Sequence, residues 1–219
     1  GFSDKPLDDR RYTPDALADQ LVGVADRLGL GRLLVVGHSM GGAVALRLAA
    51  RQPERVAGLV LAAPVGFGGV NRTRWLRALT PSVVEPYLHA FGTRALFALA
   101  LRMGYGTLGT PTARDVDEYF AASADPRLLP ALRRVAHAFD WECGPPASLG
   151  RVACPVHVLF GARDGVIREP VTRPALARLA RATAEVVPDA GHVLPEEVPT
   201  VVNRTILGMA AEVLPPPRR

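Results

Sequence analysis

The chain has 219 residues, 48% of them apolar and 21% charged, with a formal net charge of +5. That length suits one sizeable domain with room for an insertion, and the apolar fraction excludes a disordered chain. The positive charge does not signal nucleic acid: Lys5 is the sole lysine, and the arginines are scattered among acids with no run of five or more like charges.

No stretch approaches the ~18 uninterrupted apolar residues that a membrane helix needs. Cys143 and Cys154 are too few for a disulfide framework and match no zinc spacing, so neither a metal nor a cofactor is expected. The expectation is a soluble, cytoplasmic protein. Gly1-Phe-Ser-Asp-Lys-Pro6 reads as a loop, with no basic and apolar leader ahead of it.

Thr13-Pro14-Asp15 opens a helix, with Thr13 as N-cap and Pro14 at its first position. Leu17, Leu21, Val24 and Leu28 recur at helical spacing until Gly29 and Gly31 stop it. Leu33 to Val36 is an apolar run of the kind that forms a strand buried on both faces. Gly37 to Gly42 breaks that strand, Ala43 to Gln52 is an Ala- and Leu-rich helix, and Val56 to Ala62 is a second buried strand. This alternation predicts a parallel sheet in an α/β fold.

From Val65 to Leu149 the pattern changes to short helices, Arg94 to Met103, Asp115 to Ala122 and Leu128 to Phe139, separated by Gly- and Pro-containing breaks. The division is therefore 1–64 core, 65–149 helical insertion and 150–219 core. In the last part Val156 to Phe160 and Ala184 to Val187 read as strands, Thr172 to Ala182 and Val198 to Val213 as helices.

Gly37-His38-Ser39-Met40-Gly41 matches G-x-S-x-G between a strand and a helix, the setting of a nucleophile elbow. Glycines are expected there because the serine's backbone is strained and side chains beside it would collide with strand and helix. A serine nucleophile needs a base, and the base needs an orienting acid. Of the five histidines, His192 alone follows a strand on a Gly-containing loop, at the sheet edge where such sites form. His38 is expected to point away from Oγ, His89 and His137 fall in the insertion, and His157 reads as a hydrogen-bonded core residue. Asp164, in Gly161-Ala-Arg-Asp-Gly165, holds the position expected for the acid; Asp140 and Glu142 are alternatives, and Asp189 reads as a turn former. Phe67, Trp75, Phe97, Phe139 and Trp141 read as core packing or as an apolar pocket in the insertion.

With these residues placed, the chain resembles an α/β-hydrolase-fold serine hydrolase of the esterase and C–C hydrolase type. The matching pieces are Gly1 to Pro6, Gly37 to Gly42, Gly161 to Gly165, and Gly191-His192 followed by Glu196 and Pro199. The resemblance implies a mostly parallel sheet with helices on both faces, a helical cap at 65–149, and Ser39, Asp164 and His192 as a triad. One oxyanion donor would be the Met40 N–H. The resemblance also places Gly1 to Pro6 after the fold's first four strands. Those strands and the second oxyanion donor are therefore expected to be missing, leaving Leu33 to Val36 at an open edge and this chain alone weakly active. The function implied is carboxylester hydrolysis through an acyl-enzyme. C–C bond hydrolysis of ring-cleavage products is the alternative, and a non-catalytic module that binds a small ligand is a third reading.

Overall fold

A computed structural model describes residues 1–67, 93–141 and 146–214. Trp75, His89, Glu142 and Cys143 lie outside these residues. Four strands form one parallel sheet in the order β1 (Leu33–His38), β2 (Val56–Ala62), β3 (Val156–Gly161) and β4 (Ala182–Val187). Consecutive strands are neighbours, each pair parallel, so all four C-terminal ends meet at one rim.

The helices follow from local chemistry. Helix α1 (Pro14–Arg27) starts where Thr13 accepts from the Ala16 N–H, and Gly29 leaves it in the left-handed region at φ 66°. Helix α2 (Met40–Arg51) packs its small buried residues, among them Ala43, Ala45 and Ala49, toward β1 and β2. Among the described residues, three helices lie between β2 and β3: α3 (Arg94–Arg102), α4 (Ala113–Ala121) and α5 (Leu128–Ala138). Thr112 and Asp115 form a reciprocal capping box at the start of α4. Helix α6 (Glu169–Leu176) joins β3 to β4, and α7 (Pro199–Val213) lies on β2 with Met209 against Gly58.

Every residue of β2 is buried, as the apolar run predicts. Leu59, Leu61, Val158, Leu159 and Phe160 form its core with α2 and with Phe139 and Leu194. The N-terminal loop is tied to the insertion by the Lys5–Asp125 pair at 2.9 Å and by Arg134, which donates to the Leu7 carbonyl at 2.7 Å.

β1 is the edge strand among the described residues, as the resemblance implies, and Val36 is 46% exposed, so β1 is not buried on both faces as its apolar run alone suggests. The helix expected at Thr172 to Ala182 starts earlier and ends at Leu176; Ala182 already belongs to β4. No helix among the described residues is long and apolar enough to cross a membrane.

The core assignment has a direct check. Leu59→Ala is expected to lower unfolding stability by about 2–5 kcal/mol in urea titrations, through lost burial plus the cavity left behind. Leu207→Ala, at a residue 69% exposed, should stay within about 0.5 kcal/mol.

Candidate active site

Ser39 sits between β1 and α2 at φ 50°, ψ −118°, a backbone conformation strained for a residue with a Cβ. Hydrogen bonds hold it there: its N–H donates to the Ala62 carbonyl at 3.0 Å, and its own carbonyl accepts from Gly42 and Val65, each at 2.9 Å. Gly37 is required by close packing, since a Cβ there would stand 2.6 Å from the Gly41 carbonyl oxygen. Gly42 is required as well, because its Cβ would meet Pro64 at 2.5 Å. Gly41 departs from the expectation: a Cβ there meets nothing within 4 Å among the described residues. Met40 opens α2, so its N–H lies in the first turn, where amides have no intrahelical acceptor.

Asp164 follows β3 with its side chain completely buried. Its two oxygens have separate tasks. Oδ1 accepts from the Val166 and Ile167 N–H groups at 2.7 and 2.8 Å, and Oδ2 accepts from His192 Nδ1 at 2.9 Å. An Nδ1 that donates leaves Nε2 as the acceptor in the neutral ring. Nε2 stands 2.9 Å from Ser39 Oγ. The three residues thus form one hydrogen-bonded chain from buried carboxylate to hydroxyl, brought together from the ends of β1, β3 and β4.

His192 is also held by its backbone. Its carbonyl accepts from His38 Nε2 at 2.8 Å, and the two rings lie 5.2 Å apart. His38 is therefore not simply turned away from the site: it braces the loop that carries His192. Burial lowers the His38 pKa below the usual histidine value, which keeps that ring neutral at pH 7. The His192 N–H donates to the Gly104 carbonyl at 2.6 Å, a contact with the insertion.

The other candidates lie elsewhere. Asp140 pairs with Arg47 at 3.6 Å. His137 is on α5. His157 is half-buried rather than a satisfied core residue: Nδ1 meets Thr183 Oγ1 at 2.8 Å, while the buried Nε2 has no hydrogen-bond partner. Asp189 does shape the turn, at φ 61°, with its side chain toward Arg163 at 3.4 Å. Phe139 and Phe67 are buried in the core, and Phe97 meets Phe120 edge to face at 6.0 Å.

The sequence reading overlooked Glu197. It named Glu196, yet Glu197 is the residue that accepts from the backbone N–H of Gly191, at 2.8 Å. Glu196 instead accepts from the hydroxyls of Tyr105 and Tyr119. With desolvation and this carboxylate beside it, the Tyr119 hydroxyl is pushed up to about 12, the hydrogen bond being the larger cause.

The steric account of the elbow predicts different outcomes for its glycines. Gly37→Ala should lower the thermal midpoint sharply or prevent folding, whereas Gly41→Ala should leave it within a few degrees. Differential scanning fluorimetry on the two variants checks both.

Known proteins share this fold. The sequence signature of the Alpha/beta hydrolase family matches residues 1–205. A pimeloyl-[acyl-carrier protein] methyl ester esterase from Chromobacterium violaceum is 32% identical over 191 residues, covering 83% of this chain and 70% of that protein. A 2-hydroxymuconate semialdehyde hydrolase from Pseudomonas sp. strain CF600 is 46% identical over 71 residues, which is 32% of this chain and 24% of that one. Among solved structures, a meta-cleavage product hydrolase from Pseudomonas fluorescens IP01 superposes with a TM-score of 0.78 at 20% identity, covering 97% of this chain and 76% of that chain. Sheet, elbow and family signature converge: this chain belongs to the alpha/beta hydrolase family and is a hydrolase enzyme.

Proposed function

We propose that the protein is a serine hydrolase that cleaves a carboxylic ester of a small molecule through a Ser39 acyl-enzyme. The observation that carries this reading is the unbroken Asp164–His192–Ser39 hydrogen-bond chain at 2.9 and 2.9 Å. Ser39 Oγ attacks the ester carbonyl carbon while His192 Nε2 takes the hydroxyl proton. The buried Asp164 carboxylate stabilises the imidazolium through Nδ1, and the Met40 N–H offers a hydrogen bond to the oxyanion. The tetrahedral intermediate collapses as the imidazolium returns its proton to the departing alkoxide, and an alcohol leaves. Water then repeats the sequence on the acyl-enzyme, with His192 as base, releasing the acid and restoring Ser39. Residues 65–149 serve as the cap that selects the substrate.

C–C bond hydrolysis of a ring-cleavage product is the second reading. It draws on the local 46% identity to a 2-hydroxymuconate semialdehyde hydrolase. A purely ligand-binding role is the weakest of the three, since binding alone gives no reason to align a base between Ser39 and a buried carboxylate.

A fluorophosphonate probe should label Ser39, with the adduct on the peptide containing His38 to Arg47, and Ser39→Ala should abolish labelling. Labelling that survives in Ser39→Ala overturns the nucleophile assignment. Turnover of short p-nitrophenyl esters, compared with a dienoate panel, separates the first reading from the second. Asp164→Asn should lower kcat by about 10⁴, because the amide favours the wrong imidazole tautomer. Loss of similar size in Asp140→Asn, with Asp164→Asn near normal, would reassign the acid.

A further inference from the structure

The insertion does more than lie over the sheet: its backbone touches the loop that carries His192. Residues Gly104 to Thr107 run along Asp189 to His192, with His192 N–H donating to the Gly104 carbonyl at 2.6 Å and Thr107 N–H to the Asp189 carbonyl at 2.8 Å. Three buried glycines make this approach possible. A Cβ on Gly106 would stand 2.1 Å from the Asp189 oxygen, one on Gly191 would stand 2.4 Å from the Gly106 nitrogen, and one on Gly161 would stand 2.0 Å from the Gly191 oxygen. The end of β3, the His192 loop and the insertion are therefore stacked backbone on backbone.

A single carboxylate closes this stack. Glu197 Oε2 accepts from the Gly106 N–H at 2.7 Å, and Oε1 accepts from the Gly191 N–H at 2.8 Å. These two amides belong to buried residues of separate segments, and each would lose its partner if the carboxylate were removed. Glu197 ends the short helical turn Leu194–Glu197, which Leu194 anchors in the core with no exposed surface. The carboxylate is thus fixed from below while it grips one segment on each side.

We infer that Glu197 is a positioning residue for His192: by clamping Gly106 to Gly191 it sets where the insertion holds the His192 backbone, and so how squarely Nε2 faces Ser39. Gly191 immediately precedes His192, and the Gly104 carbonyl that receives the His192 N–H lies two residues before Gly106. Slack in the clamp reaches the imidazole by two short paths, one covalent through Gly191 and one across the His192 N–H to Gly104 carbonyl hydrogen bond. A misplacement of about 1 Å in a reacting group costs on the order of 10² in rate. This inference rests on the serine-hydrolase reading for its kinetic consequence, but not for its geometry.

The test uses Glu197→Gln, which keeps one acceptor oxygen and turns an NH2 toward the other amide, and Glu197→Ala, which removes both acceptors. On a p-nitrophenyl ester, kcat should fall about tenfold in the first and about 10² in the second, with KM changed less than about threefold. The rate of fluorophosphonate labelling of Ser39 should fall in parallel. Independently of turnover, the far-downfield proton resonance of the His192 Nδ1–H bond to Asp164 should shift or broaden in Glu197→Gln. Should Glu197→Ala fail to fold, Glu197→Gln carries the same readouts. A lowered thermal midpoint with unchanged kcat, labelling rate and resonance overturns the proposal, as does a change confined to KM. A parent protein that neither labels nor turns over, but whose resonance responds to Glu197→Gln, overturns the serine-hydrolase reading and supports the positioning role.

Discussion

The strand Val56–Ala62 constrains everything above it. It is buried along its length and hydrogen-bonded to a parallel neighbour on each side, so a shift of its end would move β1 and β3 together. The Ala62 carbonyl takes the Ser39 N–H directly, at 3.0 Å. The strained backbone of Ser39 is thereby held by a strand buried along its whole length. Strain of this kind costs on the order of 1–3 kcal/mol and persists only where the surroundings over-determine it. Here two bonds to the Ser39 carbonyl and the close contacts at Gly37 and Gly42 supply that over-determination.

Burial and partnering are balanced differently at the two ends of the hydrogen-bonded chain. Asp164 is withdrawn from water, a costly place for a carboxylate unless its lone pairs are filled. Two backbone amides and one imidazole N–H fill them. Because the amides belong to Asp164's own turn, the carboxylate cannot rotate toward solvent without giving up bonds that have no replacement nearby. The Ser39 end is more open, as a hydroxyl that must meet a substrate has to be. His38, neutral and fixed by the His192 carbonyl, lies beside the working ring without adding charge to it.

Much of this was legible in the chain itself. Buried parallel strands write themselves as continuous apolar runs, which is why β2 and β3 appear where Val56 to Ala62 and Val156 to Phe160 predict them. Ser39, Asp164 and His192 could be named because each follows the C-terminal end of a strand, and a parallel sheet brings those ends to one rim. What depends on distant contacts is not written in the local pattern. The exposure of Val36 reflects strand order, which the apolar run of β1 does not encode and only the family resemblance implies. The helix Glu169–Leu176 differs from the expected Thr172 to Ala182 because Leu179 continues its apolar spacing past its end, although the chain from Ala177 onward is already turning toward β4. Nothing in the sequence marks Gly106, and only the fold reveals that the Gly191 backbone lies against it.

The glycine stack also bears on how far the molecule can be treated as modular. An insertion that touched the core only through side chains could be exchanged for another of similar outline, its interface repacking by rotamer changes. Backbone atoms have no such freedom. Where Gly106, Gly191 and Gly161 meet, the carbon skeletons already stand at contact distance, and no rearrangement of neighbouring side chains makes room for one more methyl group. A grafted insertion would have to supply a glycine at the position of Gly106 and a free amide for Glu197, in the same register, before its remaining residues mattered at all. The segment carrying Gly106 and the loop bearing His192 are therefore coupled backbone to backbone, although the chain passes through two strands and a helix between them.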